Sequence, residues 1–240
     1  MVVDFDGSLA PIVEDPAAAR PLPAVLDVLG RLTPRFGRVA VVSGRPAAFL
    51  HQALPAEGLV LFGQYGLERW QDDQAVPDPR ARPFAEAVTA AAGEAEAALP
   101  ELVVERKGEI AVALHWRQNP GLEDEALALG RRLAERHGLA FQPGRQALEL
   151  RPPLPVDKGT ATEQLADGFH AALMAGDDHG DLAAFAALDR LVAAGRLGHR
   201  LRIGVRSPEA PRSLLEDSDY QVDGPEGLAE LLTRLADSLE

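Results

Sequence analysis

Short apolar runs alternate with amphipathic helical stretches in the first and last thirds of this chain, and the middle third breaks that rhythm. This is the feature that most constrains its fold. Val2 to Phe5, Val39 to Val42 and Leu59 to Phe62 read as buried strands, with helices over Pro23 to Leu32 and Pro46 to Leu54 between them. The last third resumes the pattern. A helix starts near Lys158, the strand Ala171 to Ala175 follows, then a helix over Asp181 to Ala194. The strands Leu201 to Val205 and Tyr220 to Val222 precede a closing helix from Pro225. Strands that alternate with helices predict a parallel sheet of βαβ units with helices on both faces, a doubly wound α/β core.

Between these halves lies a different order of elements. The polar stretch Gln71-Asp72-Asp73-Gln74 and the Pro77/Pro79 segment lead to an Ala/Glu-rich helix, Pro83 to Leu99. The strands Leu102 to Arg106 and Ile110 to Trp116 follow, joined at Lys107-Gly108, then a helix from Leu122 to His137. Two more strands lie near Leu139 to Gln142 and Ala147 to Arg151. Helix, hairpin, helix, hairpin describes an α+β unit with one exposed sheet face. The expected organisation is a core made of residues 1–80 and 154–240, with 81–153 inserted as a cap.

The 240 residues are ample for such a core. With no cysteine, disulfides, thiolate nucleophiles and Cys-zinc sites are excluded. No run approaches the roughly 18 apolar residues of a membrane span, and no basic leader precedes Val2-Val3, so a soluble cytoplasmic protein without a signal peptide is expected. A net charge of −13 argues against nucleic acid or an anionic membrane as the main partner. A site for an anionic substrate must then reverse the local field with a metal ion and a few placed cations. Of 24 basic residues only Lys107 and Lys158 are lysines, compact point charges in a chain that otherwise uses arginine.

Sites in open parallel sheets form at the carboxyl ends of strands. After the first strand pattern come Asp4, Asp6, Gly7 and Ser8, and after the second Ser43, Gly44 and Arg45. Asp157-Lys158-Gly159 opens the helix beyond the cap, and Gly176, Asp177, Asp178 and then Asp181 follow Ala171 to Ala175. Singly, these are turn and cap residues. Jointly they place two carboxylate pairs, a hydroxyl and a rare lysine at one edge of the sheet.

This set and order resemble the haloacid dehalogenase-like phosphatases, with Asp4-Phe5-Asp6-Gly7-Ser8, Ser43, Lys158 and Asp177-Asp178 in the family's motif positions. The resemblance implies a Rossmann-like core with a C2-type cap. It implies Asp4 as nucleophile, Asp6 as general acid/base, and Ser43 and Lys158 on the phosphoryl oxygens. Mg²⁺ would be held by Asp4, the Asp6 backbone carbonyl and Asp177, with Asp178 and Asp181 behind them. Each residue type suits its task. A carboxylate nucleophile splits ester hydrolysis into two displacements, a second carboxyl moves the proton, and Mg²⁺ prefers hard oxygen ligands.

The sequence is similar more narrowly to trehalose-6-phosphate phosphatases, through Asp4 to Ile12, Ser43-Gly44-Arg45, Gly63-Gln64-Tyr65-Gly66-Leu67-Glu68, Glu105-Arg106-Lys107, Leu114-His115-Trp116-Arg117 and Glu149-Leu150-Arg151-Pro152. That resemblance implies Mg²⁺-dependent hydrolysis of trehalose 6-phosphate through an aspartyl-phosphate, and functional pairing with a trehalose-phosphate synthase. It carries sugar recognition onto Glu68, Glu105, Lys107, His115, Arg117 and Glu149, and gives Arg45 a substrate contact or a brace at the entrance, to which a pure salt bridge is the alternative. His115 alternates with Ala113 and Arg117, so the three are expected on one sheet face, with Trp116 turned into the cap core. His51, His137, His170, His179 and His199 lack metal-ligand spacing.

Three departures stand out. Ser8 replaces the usual threonine. Gly180 and Leu182 stand in Gly176-Asp177-Asp178-His179-Gly180-Asp181-Leu182 where the family has Thr and Glu. Only three residues precede Asp4, so the first strand reads as clipped: either the natural start lies upstream or this edge is less stable than in relatives. Two other readings remain: a phosphatase of another sugar phosphate (sucrose, glucosylglycerol or mannosylglycerate phosphate), and a non-catalytic sugar-phosphate sensor.

Overall fold

Residues 1–13, 18–144, 146–207 and 210–240 are described in the computed structural model. They divide into two units, Met1–Val76 with Val156–Glu240, and Pro77–Pro155.

In the first unit eight strands form one sheet, in the order β12-β11-β10-β1-β2-β3-β4-β5. The strands are β1 (Val2–Val3), β2 (Val39–Val42), β3 (Leu59–Gly63), β4 (Glu68–Gln71), β5 (Gln74–Pro77), β10 (Ala171–Gly176), β11 (His199–Arg206) and β12 (Tyr220–Asp223). β12 through β3 pair in parallel, and β4 joins β3 antiparallel. All four residues of β2 are buried, as a strand covered on both faces requires. Alternation sends Val3 and Val41 into one apolar cluster and Val2, Ala40 and Val42 into another. Helices α1 (Pro23–Leu32) and α8 (Gly224–Ser238) cover the first, while α5 (Lys158–Ala166) and α6 (His179–Ala193) cover the second. In α1 the buried residues Val25, Val28, Leu29 and Leu32 recur at intervals of three and four, the stripe that faces a sheet.

β1 and β10 are neighbours, and the chain leaves the carboxyl end of β1 toward β2 and that of β10 toward β11, in opposite directions. A crevice at this point is where such sheets bind ligands. The sequence pattern extends β1 to Phe5, but the strand ends at Val3. Asp4 N–H still donates to Ala175 O, at 2.9 Å. The chain then turns, and Leu9 and Ala10 N–H both return to Phe5 O. Gly7 makes this turn possible at φ +79°, and a Cβ there would fall 2.0 Å from Asp177 Oδ2. The polar stretch Gln71 to Gln74 is a hairpin turn between β4 and β5, with Asp72 and Asp73 both left-handed at φ 51° and 57°.

In the second unit four strands form a sheet in the order β6-β7-β9-β8: β6 (Val103–Lys107), β7 (Ala111–His115), β9 (Ala147–Arg151) and β8 (Ala140–Gly144). Helices α3 (Ala85–Ala98) and α4 (Glu123–His137) pack on one face over Val112, Leu114, Leu148, Leu150 and Trp116. Among the described residues no helix is long and apolar enough to cross a membrane.

Candidate active site

The first unit assembles a charged cluster at the carboxyl ends of β1 and β10 and the start of α5. Asp4 is buried, and its Oδ1 accepts from Lys158 Nζ at 2.8 Å. The same ammonium donates to Asp181 Oδ1 at 2.9 Å and to Asp178 Oδ1 at 3.3 Å. Local chemistry sets these positions. Asp157 caps α5 in a capping box with Thr160, which places Lys158 at the first helical position. Asp178 caps α6 in a second such box with Asp181. Asp181 Oδ2 accepts from the backbone N–H groups of Asp177 and Asp178, at 3.0 and 3.1 Å, and so shapes the turn that carries both. Gly176 leaves the space Asp181 needs, since a Cβ there would lie 2.2 Å from its carboxyl carbon.

The Lys158 ammonium faces several acids in this cluster. Burial pushes Asp4 well above the ordinary carboxylate range, against the pull of Lys158, and does the same to Asp181. Burial, with Asp181 and Asp178 nearby, raises Asp177 to about 7. Burial alone would lower Lys158, but Asp181, Asp4 and Asp178 outweigh it and hold the ammonium well above the usual lysine value. Asp178 moves down, because Lys158 and its bond to Asp181 overcome the cost of burial. The surplus is negative.

That surplus suits a cation. Asp4, Asp177 and Asp181 each offer a carboxylate oxygen within 4.8 Å of the others. Among the described residues Asp177 Oδ1 is buried with no hydrogen-bond partner, and its Oδ2 accepts a long hydrogen bond, 3.4 Å, from Ser207 Oγ. Both oxygens of Asp181 are already engaged, so Asp4 and Asp177 are the better-placed ligands. A hard, oxygen-only donor set fits Mg²⁺. An acid whose pKa is raised by folding holds its proton more tightly in the folded chain. Its contribution to stability is present at acid pH and is lost as pH rises through about 7 for Asp177. In chelator the melting temperature should therefore fall from about pH 5 to about pH 8, and Mg²⁺ should restore it more at the higher pH, because ions displace protons. Thermal melts with and without EDTA check this; a Mg²⁺ effect that shrinks as pH rises would refute the cation site.

The remaining core residues flank this cluster. Ser43 is buried at the end of β2, and its Oγ accepts from Arg45 N–H at 3.2 Å. Asp6, two residues from Asp4, receives Arg45 Nε and Nη2, both at 2.7 Å. Of the three tasks open to Arg45, the structure displays the salt bridge. Glu68 is also in this unit. It is buried and its Oε1 accepts from Ala47 N–H at 2.5 Å, closing the first turn of α2 (Ala47–Ala53). Ser207, just beyond β11, was not among the residues singled out from sequence. The rule about carboxyl ends of strands, applied to Leu201 to Val205, points to it.

On the second unit, Glu105, Ala113, Glu149 and Gln142 stand opposite one another across the four strands. Lys107 Nζ donates to Glu149 Oε2 at 2.7 Å, and His115 Nε2 meets Glu105 Oε2 at 2.8 Å. Glu149 is buried, and among the described residues its Oε1 has no hydrogen-bond partner. Trp116 packs into the core with the helices. Arg117 departs from the expected alternation: β7 stops at His115, and Arg117 lies exposed in the following turn.

The sequence profile of the family described as Trehalose-phosphatase matches residues 2–217. The chain belongs to the trehalose-phosphatase family. A trehalose-phosphate phosphatase of Mycolicibacterium paratuberculosis is 32% identical over 99% of the chain, which spans 62% of that relative's length. Among solved structures, a trehalose-6-phosphate phosphatase related protein superposes with TM-score 0.78 at 23% identity, over 99% of this chain and 98% of that one. A haloacid dehalogenase-like hydrolase from Bacteroides thetaiotaomicron gives TM-score 0.64 at 16% identity, covering 98% of each. The fold of this trehalose-phosphatase family member is therefore the haloacid dehalogenase-like α/β fold.

Proposed function

We propose that this chain hydrolyses trehalose 6-phosphate to trehalose and phosphate through an aspartyl-phosphate on Asp4, with Mg²⁺ as cofactor, in the cytoplasm. The observation that carries the reading is the buried Asp4, bonded to Lys158 and clustered with Asp177 and Asp181 beside the reversal of the sheet.

Asp4, the Asp6 carbonyl and Asp177 would hold the ion, which when bound offsets the negative charge of the phosphoryl group. An Asp4 carboxylate oxygen attacks phosphorus and the bond to the sugar oxygen breaks. The Asp6 carboxyl gives its proton to that departing oxygen. Ser43 Oγ and Lys158 Nζ donate to the phosphoryl oxygens, where charge is concentrated. Water then attacks the phosphorus, Asp6 takes its proton, and the bond to Asp4 breaks, which returns both carboxyls to their starting forms.

For the second unit we propose sugar recognition by Glu105, Lys107, His115 and Glu149. Paired carboxylate acceptors beside cationic donors match a ligand rich in hydroxyls, and the unpartnered Glu149 Oε1 is one acceptor available to it. Glu105→Ala or Lys107→Ala should lower kcat/KM on the disaccharide phosphate about 10- to 100-fold. A small aryl phosphate should be spared, and equal losses on both would remove these residues from specificity. A trehalose-phosphate synthase is the functional partner this reading implies.

The test is phosphate release with Mg²⁺ on trehalose 6-phosphate beside sucrose 6-phosphate and glucose 6-phosphate. A strong preference for the trehalose ester supports the proposal. Preference for another ester keeps the chemistry and replaces the substrate, and silence on all three, from folded protein, favours a sugar-phosphate sensor.

A further inference from the structure

We propose that Arg45 is a positioning residue that acts on the reaction through Asp6, by fixing the direction in which that carboxyl points. The inference rests on the general acid/base role given to Asp6 above. Nε and Nη2 of Arg45 meet the two oxygens of Asp6 at 2.7 Å each. A parallel pair of this kind fixes the rotation of the carboxyl plane as well as its distance. Asp6 needs that restraint, because its side chain is 35% exposed and the Gly7 turn follows it directly.

Arg45 is itself held in place. Its backbone N–H donates to Ser43 Oγ. The guanidinium lies over the Phe49 ring of α2, 4.8 Å from its centroid. Phe49 in turn meets Phe5 edge to face, with centroids 5.7 Å apart. Phe5 is fully buried between Asp4 and Asp6 in the sequence. The chain of contacts runs Asp6, Arg45, Phe49, Phe5 and back to the backbone that carries both carboxylates. A lysine has the charge to attract Asp6 but not the planar fork to orient it.

Proton donation matters when the leaving group is a poor one, such as a sugar alkoxide. It matters little in the first displacement when an acidic phenol departs. Loss of Asp6 orientation therefore has a signature that a general loss of structure lacks. Arg45→Met and Arg45→Lys should each reduce kcat on trehalose 6-phosphate about 10- to 100-fold. With 2,4-dinitrophenyl phosphate both variants should release a rapid stoichiometric burst of phenol at near the wild-type rate. A slow phase then follows, since the second displacement still needs Asp6 to take the proton of water. In the Asp6→Asn background, Arg45→Met should cost no more than about 3-fold further on the sugar ester.

Wild-type enzyme and Asp6→Asn are measured first. If Asp6→Asn loses both esters equally in the first displacement, the general acid reading falls and the inference falls with it. If Asp6→Asn is selective but the Arg45 variants lose both esters equally, or keep their full cost in the Asp6→Asn background, only the inference is overturned, and Arg45 acts on the phosphate directly. Wild-type behaviour of Arg45→Lys would overturn it as well.

Discussion

Asp4→Asn should leave a folded protein whose turnover is lower by about 10⁴-fold or more. An amide has nearly the shape of the carboxylate it replaces but no oxygen that can form the acyl-phosphate. The surroundings tolerate the neutral group. Asp4 is fully buried, and burial together with Asp178 and Asp177 opposes its ionised form, while Lys158 favours it. The amide oxygen can still accept from Lys158 Nζ in place of Oδ1. Its melting temperature in chelator should therefore match or exceed that of the wild type, and kcat and melting temperature measured on one preparation separate chemistry from folding. Turnover within about 10-fold of wild type would remove Asp4 as nucleophile.

Lys158→Met should act on both quantities. Lys158 is buried, and its ammonium is shared by Asp4, Asp181 and Asp178. Without it these carboxyls face one another with no side-chain cation among them. Removing one partner of a buried ionic group costs about 3–5 kcal/mol, and part of that is recovered where acids with raised pKa values take up protons. Mg²⁺ should recover more, since it supplies the missing positive charge. Activity should not follow, because the proposed donor to the phosphoryl oxygens is gone, and a loss of about 10³-fold in kcat is expected even in saturating Mg²⁺. Full rescue of activity by Mg²⁺ would assign Lys158 to charge balance alone.

The elements were legible where burial imposes a period. Val39 to Val42 is apolar at every position because both faces of β2 are covered, and α1 shows its stripe because one face is. Legibility failed where a few residues override the pattern. Gly7, at φ +79°, turns the chain sooner than the apolar run through Phe5 suggests, and only glycine fits there because Asp177 occupies the space where a side chain would stand. Asp72 and Asp73 make a tight hairpin out of a stretch that reads only as polar. α7 (Arg212–Asp217) is short and buries Leu214 alone, too little for a period to appear.

The candidate site was readable as residue types at strand ends, since chain order and the rule for open sheets bring those ends together. Pairings between them were not. Arg45 and Asp6 are 39 residues apart, Glu68 and Ala47 21, and Ser207 and Asp177 30. Such partners are decided by register and packing, which no local pattern encodes. The same holds for Arg117, whose place on a sheet face depended on where β7 ends.

The most direct test of the central claim is to trap the covalent intermediate. Asp6→Asn should form it from 2,4-dinitrophenyl phosphate, a leaving group that needs no acid, and should hydrolyse it slowly for want of a base. Acid quenching and peptide mapping by mass spectrometry should find one phosphoryl group, on Asp4. A phosphoryl group on another residue, or phenol release with no phosphorylated peptide at any time, would contradict the account.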